Sequence, residues 1–420
     1  MRHQRGGTAK ADKLQRGSEF KGDLMLERAK TLLRPSARSN VPPFMVMDVV
    51  AAAARLESQG RRIVHMEVGQ PVAGAPVTAV AAVRAALGNG PHGYTEALGI
   101  ASLRQRIARS YSGWRGSEGN GLDIDPERIV VTTGSSAGFM LAFLAAFEAG
   151  DRVAVAVPGY PPYRHILAAL GCEPVLLETT AATRWSLTCE ALLAEHRVRP
   201  LKGVVVASPA NPTGTMMPAQ ALADLVRSAE DAGITVISDE IYHGLDYAFT
   251  AKTAAYLSDD AIIINSFSKY FCMTGWRIGW MVVPSVLVRP IERLQQNLAI
   301  SVPTLSQIAA EAAFDARAEL EKVKQGYEKN RRILLDGLPR AGLTSFLPVD
   351  GAFYLYADIS RFSTDSFEFA TRMLDEAGVA ATPGVDFDPV HGRNFLRLCY
   401  AGAPDEMREA VERIDKWLRG

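Results

Sequence analysis

The chain has 420 residues, with 46 lysines and arginines against 46 aspartates and glutamates. That balance leaves no excess charge to draw it to nucleic acid or to an anionic membrane surface. Hydrophobic residues make up 48% and charged residues 22%, a globular profile, and the length predicts two domains or one large elaborated one.

Residues 1–40 read as a polar tail, partly disordered. The stretch is basic, carries Gly6 and Gly7, and mixes in Asp12, Glu19, Asp23 and Glu27 without aromatic interleaving or an apolar leader core. Order is expected from Val41, Pro42 and Pro43. A helix follows over Met47–Gln59 with Gly60 as its stop. Arg62–Val68 reads as a strand closed by Gly69, Gln70 and Pro71, and helices are predicted at Ala75–Leu87 and Ile100–Ser112.

Five short apolar runs come next, each ending in a polar or glycine-rich turn. Arg128–Val131 leads into Thr132, Thr133, Gly134, Ser135 and Ser136. Val153–Val157 leads into Pro158, Gly159 and Tyr160. Val204–Ala207 leads into Asn211, Pro212, Thr213 and Gly214. Ile234–Ile237 leads into Asp239, Glu240, Ile241 and Tyr242. Ala261–Ile264 leads into Ser266, Phe267, Ser268 and Lys269. Helical patterns lie between most of them, including Ala219–Ala232. This alternation predicts an α/β fold with a mostly parallel sheet and helices on both faces. Beyond Pro303, one long charged helix is expected over Leu305–Leu338. Strands near Phe353–Tyr356 and Phe395–Leu398 and helices at Ser366–Ala377 and Glu406–Leu418 then suggest a smaller α+β domain. The expected division is an N-terminal segment (41–70) packing with the small domain, a large domain (71–302), and the linking helix with the small domain (303–420). No apolar run is long enough to span a membrane. Cys172, Cys189, Cys272 and Cys399 lack metal-ligand spacing, so no metal is expected and a reducing, cytoplasmic location is.

Parallel strands bring their carboxyl-terminal turns to one sheet edge, where ligands of such sheets bind. Lys269 stands in such a turn, with Arg277 beyond it between Gly275 and Gly279. A Schiff-base-forming amine beside hydroxyls and a fixed cation suggests an aldehyde cofactor carrying a phosphate. Plainer readings exist for each residue alone: a strand-end lysine, Asp239 as a helix cap, the Asn211 turn as only a turn, the serines as helix caps, Tyr160 as a core ring.

Taken in order, the turns resemble those of the class I/II aminotransferases, the fold-type-I pyridoxal-5′-phosphate (PLP) enzymes, from about Pro42 onward. The resemblance implies an aspartate-aminotransferase-like three-layer αβα domain, PLP as cofactor, and transfer of an amino group from an L-amino acid to a 2-oxo acid in a ping-pong cycle. It gives Lys269 the Schiff base and the proton shuttle. Asp239 becomes the partner of the ring nitrogen. Tyr242 and Asn211 donate to the ring 3′-oxygen, and Tyr160 stacks on the ring. Gly134, Ser135, Ser136, Ser266 and Arg277 form the phosphate cup. Arg397, in Asn-Phe-Leu-Arg-Leu, and the Gly69 backbone hold the substrate α-carboxylate. Tyr94 matches a tyrosine that reaches the phosphate of a neighbouring subunit, which implies a homodimer with shared sites. Cys272, Asp388 and Cys399 depart from the usual letters, and the last two bear on the substrate pocket. The same cofactor site would also serve a C–S β-lyase or an aminocyclopropane-carboxylate-synthase-like lyase. A non-catalytic PLP-sensing domain is a third reading, weakened because the tail is too short and polar for a DNA-binding module. Residues for a second substrate carboxylate do not stand out from other arginines such as Arg38, and side-chain specificity is expected from the segment Val41–Phe44 and from the other subunit.

Overall fold

The computed structural model describes residues 34–113 and 123–420 and divides into the units Met1–Asn40 and Val41–Gly420. Most of the expected polar tail lies outside the described residues. Within the first unit, Ala37–Ser39 form a single 3-10 turn, closed by the Ser39 N–H on the Ser36 carbonyl at 3.0 Å.

The second unit opens with helix α1 (Met45–Ser58), strand β1 (Val64–His65), α2 (Val77–Leu87) and α3 (Ala101–Gly113). The expected alternation follows: β2 (Ile129–Thr132), α4 (Gly134–Ala146), β3 (Arg152–Val157), α5 (Pro161–Leu170) and β4 (Glu173–Glu178). It continues with α6 (Cys189–Val198), β5 (Gly203–Ala207), α7 (Ala219–Asp231), β6 (Thr235–Asp239) and β7 (Ile262–Ser266). Then come β8 (Gly279–Val282), α8 (Ser285–Leu298), α9 (Thr304–Ala313) and α10 (Arg317–Gly337). The remainder holds β9 (Tyr354–Asp358), α11 (Ser366–Arg372), β10 (Val379–Ala380), β11 (Thr382–Pro383), β12 (Phe395–Cys399) and α12 (Pro404–Arg419).

Local chemistry accounts for these elements. Proline at the first turn of α5 costs no helix hydrogen bond, and Gly171 at φ +88° ends it. In α7, Leu222, Leu225, Val226 and Ala229 are buried at helical spacing, so one face packs on the sheet. In α6, the Thr188 hydroxyl caps the helix by accepting from the Ala191 N–H at 3.2 Å.

The large sheet has the order β2-β8-β7-β6-β5-β3-β4. Strands β4, β3, β5, β6 and β7 pair in parallel, while β8 runs antiparallel to both β7 and β2. Hence β2 points the same way as β7, and all five expected runs end at one edge. Side chains alternate across a strand. Val204, Val206, Val236 and Ile263 join the core on one face, while Val205, Ile237, Ile262 and Ile264 join the core on the other. A sheet buried on both faces between helices is the three-layer arrangement expected. A smaller antiparallel sheet, β11-β12-β9, and a two-residue parallel ladder of β1 with β10 complete the fold.

Three expectations are corrected. The strand over Arg62–Val68 shrinks to β1, because Met66, whose N–H still donates to the Ala380 carbonyl of β10 at 2.9 Å, turns its own carbonyl to the Cys399 N–H of β12 at 2.7 Å. The long helix over Leu305–Leu338 is broken by a 3-10 turn at Phe314–Ala316, which seats the Phe314 ring against Phe267 and Phe271. Strands β4 and β8 were not anticipated. Among the described residues, no helix is long and apolar enough to cross a membrane.

Candidate active site

The sheet edge where β2, β3, β5, β6 and β7 end, and where β8 begins, borders a cavity of about 230 Å³. The turns after β6 and β7 bring Asp239, Tyr242 and Lys269 to it, and the turns after β3 and β5 bring Tyr160 and Asn211. Helix α4 brings Ser135 and Ser136, the segment before β8 brings Arg277, and Gly69 and Arg397 come from the chain around β1 and from β12. Gly134 and Ser266 stand behind this lining, and Tyr94 is 82% exposed away from it.

Lys269 is partly buried, and its Nζ donates to the Gly69 carbonyl at 2.6 Å. Burial, with Arg397 and Arg277 adding to it, brings its amine down to about 8, against opposing pulls from Cys399 and Asp239. The amine is therefore partly neutral near physiological pH, the state in which nitrogen attacks a carbonyl.

Asp239 closes β6 fully buried. Its Oδ1 accepts from the Ile241 N–H at 3.1 Å and its Oδ2 from the Tyr163 hydroxyl. Burial pushes this carboxyl up to about 6, although Tyr163, Ile241 and Lys269 all pull it down. The Tyr163 hydroxyl thus gives Asp239 a protein partner beside the ring nitrogen that the family likeness implies. Both Tyr160 and Tyr163 stand at the start of α5, three residues apart, so one helical turn presents both rings, 5.3 Å apart and edge to face. The Tyr160 ring also meets Phe44 at 6.0 Å, and burial raises its phenol to about 12.

The Tyr242 hydroxyl lies 2.8 Å from that of Tyr354, a residue of β9 missed from sequence. Tyr354 explains Gly69 as well, because a Cβ there would overlap the Tyr354 hydroxyl. Arg397 lies in the middle of β12, paired with Tyr356 and Thr382 on its two sides. Its guanidinium is held between the rings of Tyr354 and Phe387, 4.5 and 4.6 Å from their centroids. It donates to Asn211 Oδ1 at 2.9 Å, to Thr382 Oγ1 at 3.1 Å and to the Glu67 carbonyl. With Asn211 Oδ1 engaged, the Asn211 amide is left as a donor at the cavity.

At the other end, Ser135, Ser136, Ser268, Thr274 and Arg277 border the cavity at the amino terminus of α4. Unpaired N–H groups, hydroxyls and a guanidinium make this an anion site. Ser266 contributes indirectly. Its hydroxyl is 2.9 Å from Ser268 Oγ and 3.1 Å from the Ile278 carbonyl, so it shapes the turn from which Ser268 faces the cavity. Gly134 has φ +74°, and a Cβ there would stand 2.5 Å from Arg277 Nη2. Only glycine leaves the arginine its place.

The cavity thus holds an amine of lowered pKa, a buried carboxylate, a phenol and an amide between them, and an anion cradle. That donor set fits a phosphorylated pyridine aldehyde. Among the described residues, no cluster suited to a metal ion occurs. The departures from the family letters lie outside the lining. Cys272 directs its thiol to the Tyr270 carbonyl at 3.8 Å, and burial raises it to about 11. Asp388 accepts from the N–H groups of Val390 and His391 and so builds its own turn. Cys399 is a buried thiol, also raised to about 11.

The model of the family "Aminotransferase class I and II" matches residues 61–414. A valine–pyruvate aminotransferase of Mycobacterium tuberculosis is 48% identical over 389 residues, covering 92% of this chain and 98% of the relative. A (5-formylfuran-3-yl)methyl phosphate transaminase of Methanocaldococcus jannaschii is 34% identical, covering 90% and 98%. The crystal structure of an aminotransferase from Mycobacterium tuberculosis superposes with a TM-score of 0.89 at 48% identity, covering 92% of this chain and 99% of that one. The chain, with its α/β fold and this cavity, belongs to the class I and II aminotransferases, enzymes that depend on pyridoxal 5′-phosphate.

Proposed function

We propose that this aminotransferase draws its amino group from a neutral, apolar L-amino acid and passes it to a small 2-oxo acid in two ping-pong halves. The observation carrying the substrate reading is the cavity wall. Its cationic side chains, among the described residues, are Lys269, Arg277 and Arg397, while Phe44, Val46, Met47, Val68 and Ile241 are apolar and Gln70 beside them is neutral. Arg397 serves the α-carboxylate common to all amino acids, Arg277 the cofactor phosphate, and Lys269 the chemistry. No lining cation remains for a side-chain carboxylate. The valine–pyruvate specificity in the name of the 48% identical relative agrees with this.

Pyridoxal phosphate, when bound, supplies an aldehyde for amines and a ring that draws electrons from the substrate Cα. The chain's residues do the rest. Lys269 would be the cofactor's attachment point, and its amine, when free, would be the base that takes up the substrate's Cα proton and holds it for delivery across the imine nitrogen. Asp239 accepts from the ring nitrogen and keeps it protonated. Tyr242 and Asn211 donate at the ring oxygen, Tyr160 covers the ring face, and Ser135, Ser136, Ser268 and Arg277 anchor the phosphate. Gly134 and Ser266 preserve the cradle. Arg397, with the backbone at Gly69, fixes the carboxylate and so orients the Cα–H bond toward Lys269.

We also propose a cytoplasmic homodimer with a large domain over residues 71–302 and a small one over 303–420, the segment 41–70 packing with the latter. Tyr94 supports the dimer. Its neighbours are pinned, Thr304 Oγ1 donating to the Gly93 carbonyl at 2.7 Å and Thr95 N–H to Ser301 Oγ at 3.4 Å. The ring nonetheless stands 82% exposed on this fixed backbone, as a residue that completes a partner's phosphate site would.

Absorbance of the holoenzyme, mixed with single amino acids and no acceptor, tests the reading. Valine and alanine should convert it to the amino form of the cofactor at least about tenfold faster than aspartate or glutamate, the discrimination of roughly one lost charge contact. Conversion led by aspartate would overturn the substrate class. Release of ammonia with every donor and no conversion would overturn the transfer.

A further inference from the structure

Behind the cavity, on the side of Asp239 away from the lining, lies a buried acid–base pair that the mechanism does not use. Glu240 and His243 are 0% and 2% exposed. His243 Nδ1 is 3.2 Å from Glu240 Oε2, and His243 Nε2 is 3.1 Å from the Ser208 carbonyl. A carbonyl only accepts, so Nε2 carries a proton. Nδ1 and Oε2 thus face each other at ion-pair distance in a dry place. The other oxygen, Glu240 Oε1, accepts from the Ala254 N–H at 2.8 Å and from the Ser238 hydroxyl at 3.2 Å.

The connectivity matters more than the charge. Glu240 and His243 follow Asp239 and Tyr242 directly, at the two ends of the turn that leaves β6. Ser208 opens the turn that carries Asn211, and its hydroxyl also accepts from the Met217 N–H at 2.9 Å, where that turn ends. The regular β5–β6 ladder stops at Ala207↔Asp239. Beyond it the two turns are joined by His243 to Ser208, besides one long backbone contact, Ser208 N–H to the Asp239 carbonyl at 3.4 Å.

We propose that the Glu240–His243 pair is a positioning strut of the cofactor cradle, one that locks the turn bearing Asp239 and Tyr242 to the turn bearing Asn211. The inference rests on the reading of those three residues as the groups around the ring. The strut sets the separation between the ring-nitrogen partner and the two donors at the ring oxygen. Neither residue lines the cavity, so each is a positioning residue and not a catalytic one.

Cofactor affinity, the visible absorption of the bound cofactor and the melting temperature of the cofactor-free protein separate this from mere stability. His243→Phe removes the strut and strands a buried carboxyl, so melting falls and the cofactor dissociation constant rises about tenfold or more. Glu240→Leu combined with His243→Leu removes the strut and the lone acid together. It should recover most of the melting temperature while leaving affinity weakened and the absorption maximum displaced. Glu240→Gln can still accept from Ala254 and donate to Nδ1, so it should stay within about threefold of the unaltered protein. If His243→Phe does not fold, the double variant decides. A double variant with unaltered affinity and spectrum overturns the strut, as does a Glu240→Gln variant that loses as much as the double one. Failure of the unaltered protein to form a borohydride-fixable adduct at Lys269 would instead overturn the site reading itself.

Discussion

Lys269 and Asp239 face the same cavity with pKa values moved toward each other, and burial is the first cause of both shifts. For Lys269 the lowered value means that covalent loading of the cofactor-free protein should quicken as pH rises through about 8, where the amine loses its proton. Stopped-flow absorbance checks this. Lys269→Ala leaves the Gly69 carbonyl without its donor, a cost of about 1 kcal/mol, so the variant should fold. It should lose the borohydride-fixable adduct, and turnover should fall by about 10² to 10⁴-fold. Asp239 has the opposite sign. An acid raised from 3.8 to about 6 stabilises the fold fully below its unfolded value, and that contribution is lost as pH rises through 6. At neutral pH the buried charge then costs about 3 kcal/mol. Asp239→Asn keeps an acceptor for the Ile241 N–H and offers its amide to Tyr163. The cofactor-free variant should therefore melt higher than the unaltered protein at pH 7 and equally at pH 4, while binding the cofactor more weakly. Calorimetry at the two pH values decides. The polar letters of the turns were legible because each ended an apolar run. Tyr163 and Tyr354 were not, because a tyrosine in a core and a tyrosine that supports a site carry the same letter and differ only in where the hydroxyl ends.

At the level of elements, α1 does more than pack. Its first turn carries Val46 and Met47 into the cavity wall beside Phe44, and its Met45 N–H is accepted by the buried Asp386 carboxylate at 3.3 Å. Met47, 56% exposed, is the wall residue with room to change. Met47→Arg should raise kcat/KM for aspartate relative to valine by about tenfold, the worth of one added charge-assisted hydrogen bond. Competition assays with both donors measure it. The alternation of strands and helices was legible from β-branched runs such as Ile262–Ile264, buried on both faces. The missed strands were hidden for separate reasons. Strand β4 lies at the sheet edge, includes Pro174 and is only partly buried, so its pattern is weak. Strand β8 is a four-residue run directly after the arginine turn, and its letters read as part of that motif. One of its partners, β2, lies far away in sequence, and no local signal reports a pairing of that kind.

On the scale of the molecule, the exposed Tyr94 ring is the feature that a single chain leaves unused. Tyr94→Phe should leave the melting of the cofactor-free protein unchanged and weaken cofactor binding about threefold to tenfold, one hydroxyl to a phosphate. The effect should vanish on dilution to monomers, which sedimentation and fluorescence titration together would follow. Nothing in composition points to the proposed shared site, for which the family likeness of the Tyr94 stretch is the sequence signal. The order of strands in the large sheet also bears on how the protein comes into being. Strand β2 leaves early in synthesis, yet its ladder partner is β8, with Val131 opposite Trp280. Arg397 emerges later still. A growing chain on the ribosome therefore carries the serines of the anion cradle long before Arg277 and the rest of the sheet arrive to close it. The cofactor cradle is complete in sequence only once Arg277 has emerged, and the grip on the substrate carboxylate only once β12 has, so a lesion that stalls synthesis between them yields a chain with the cofactor's groups and no Arg397.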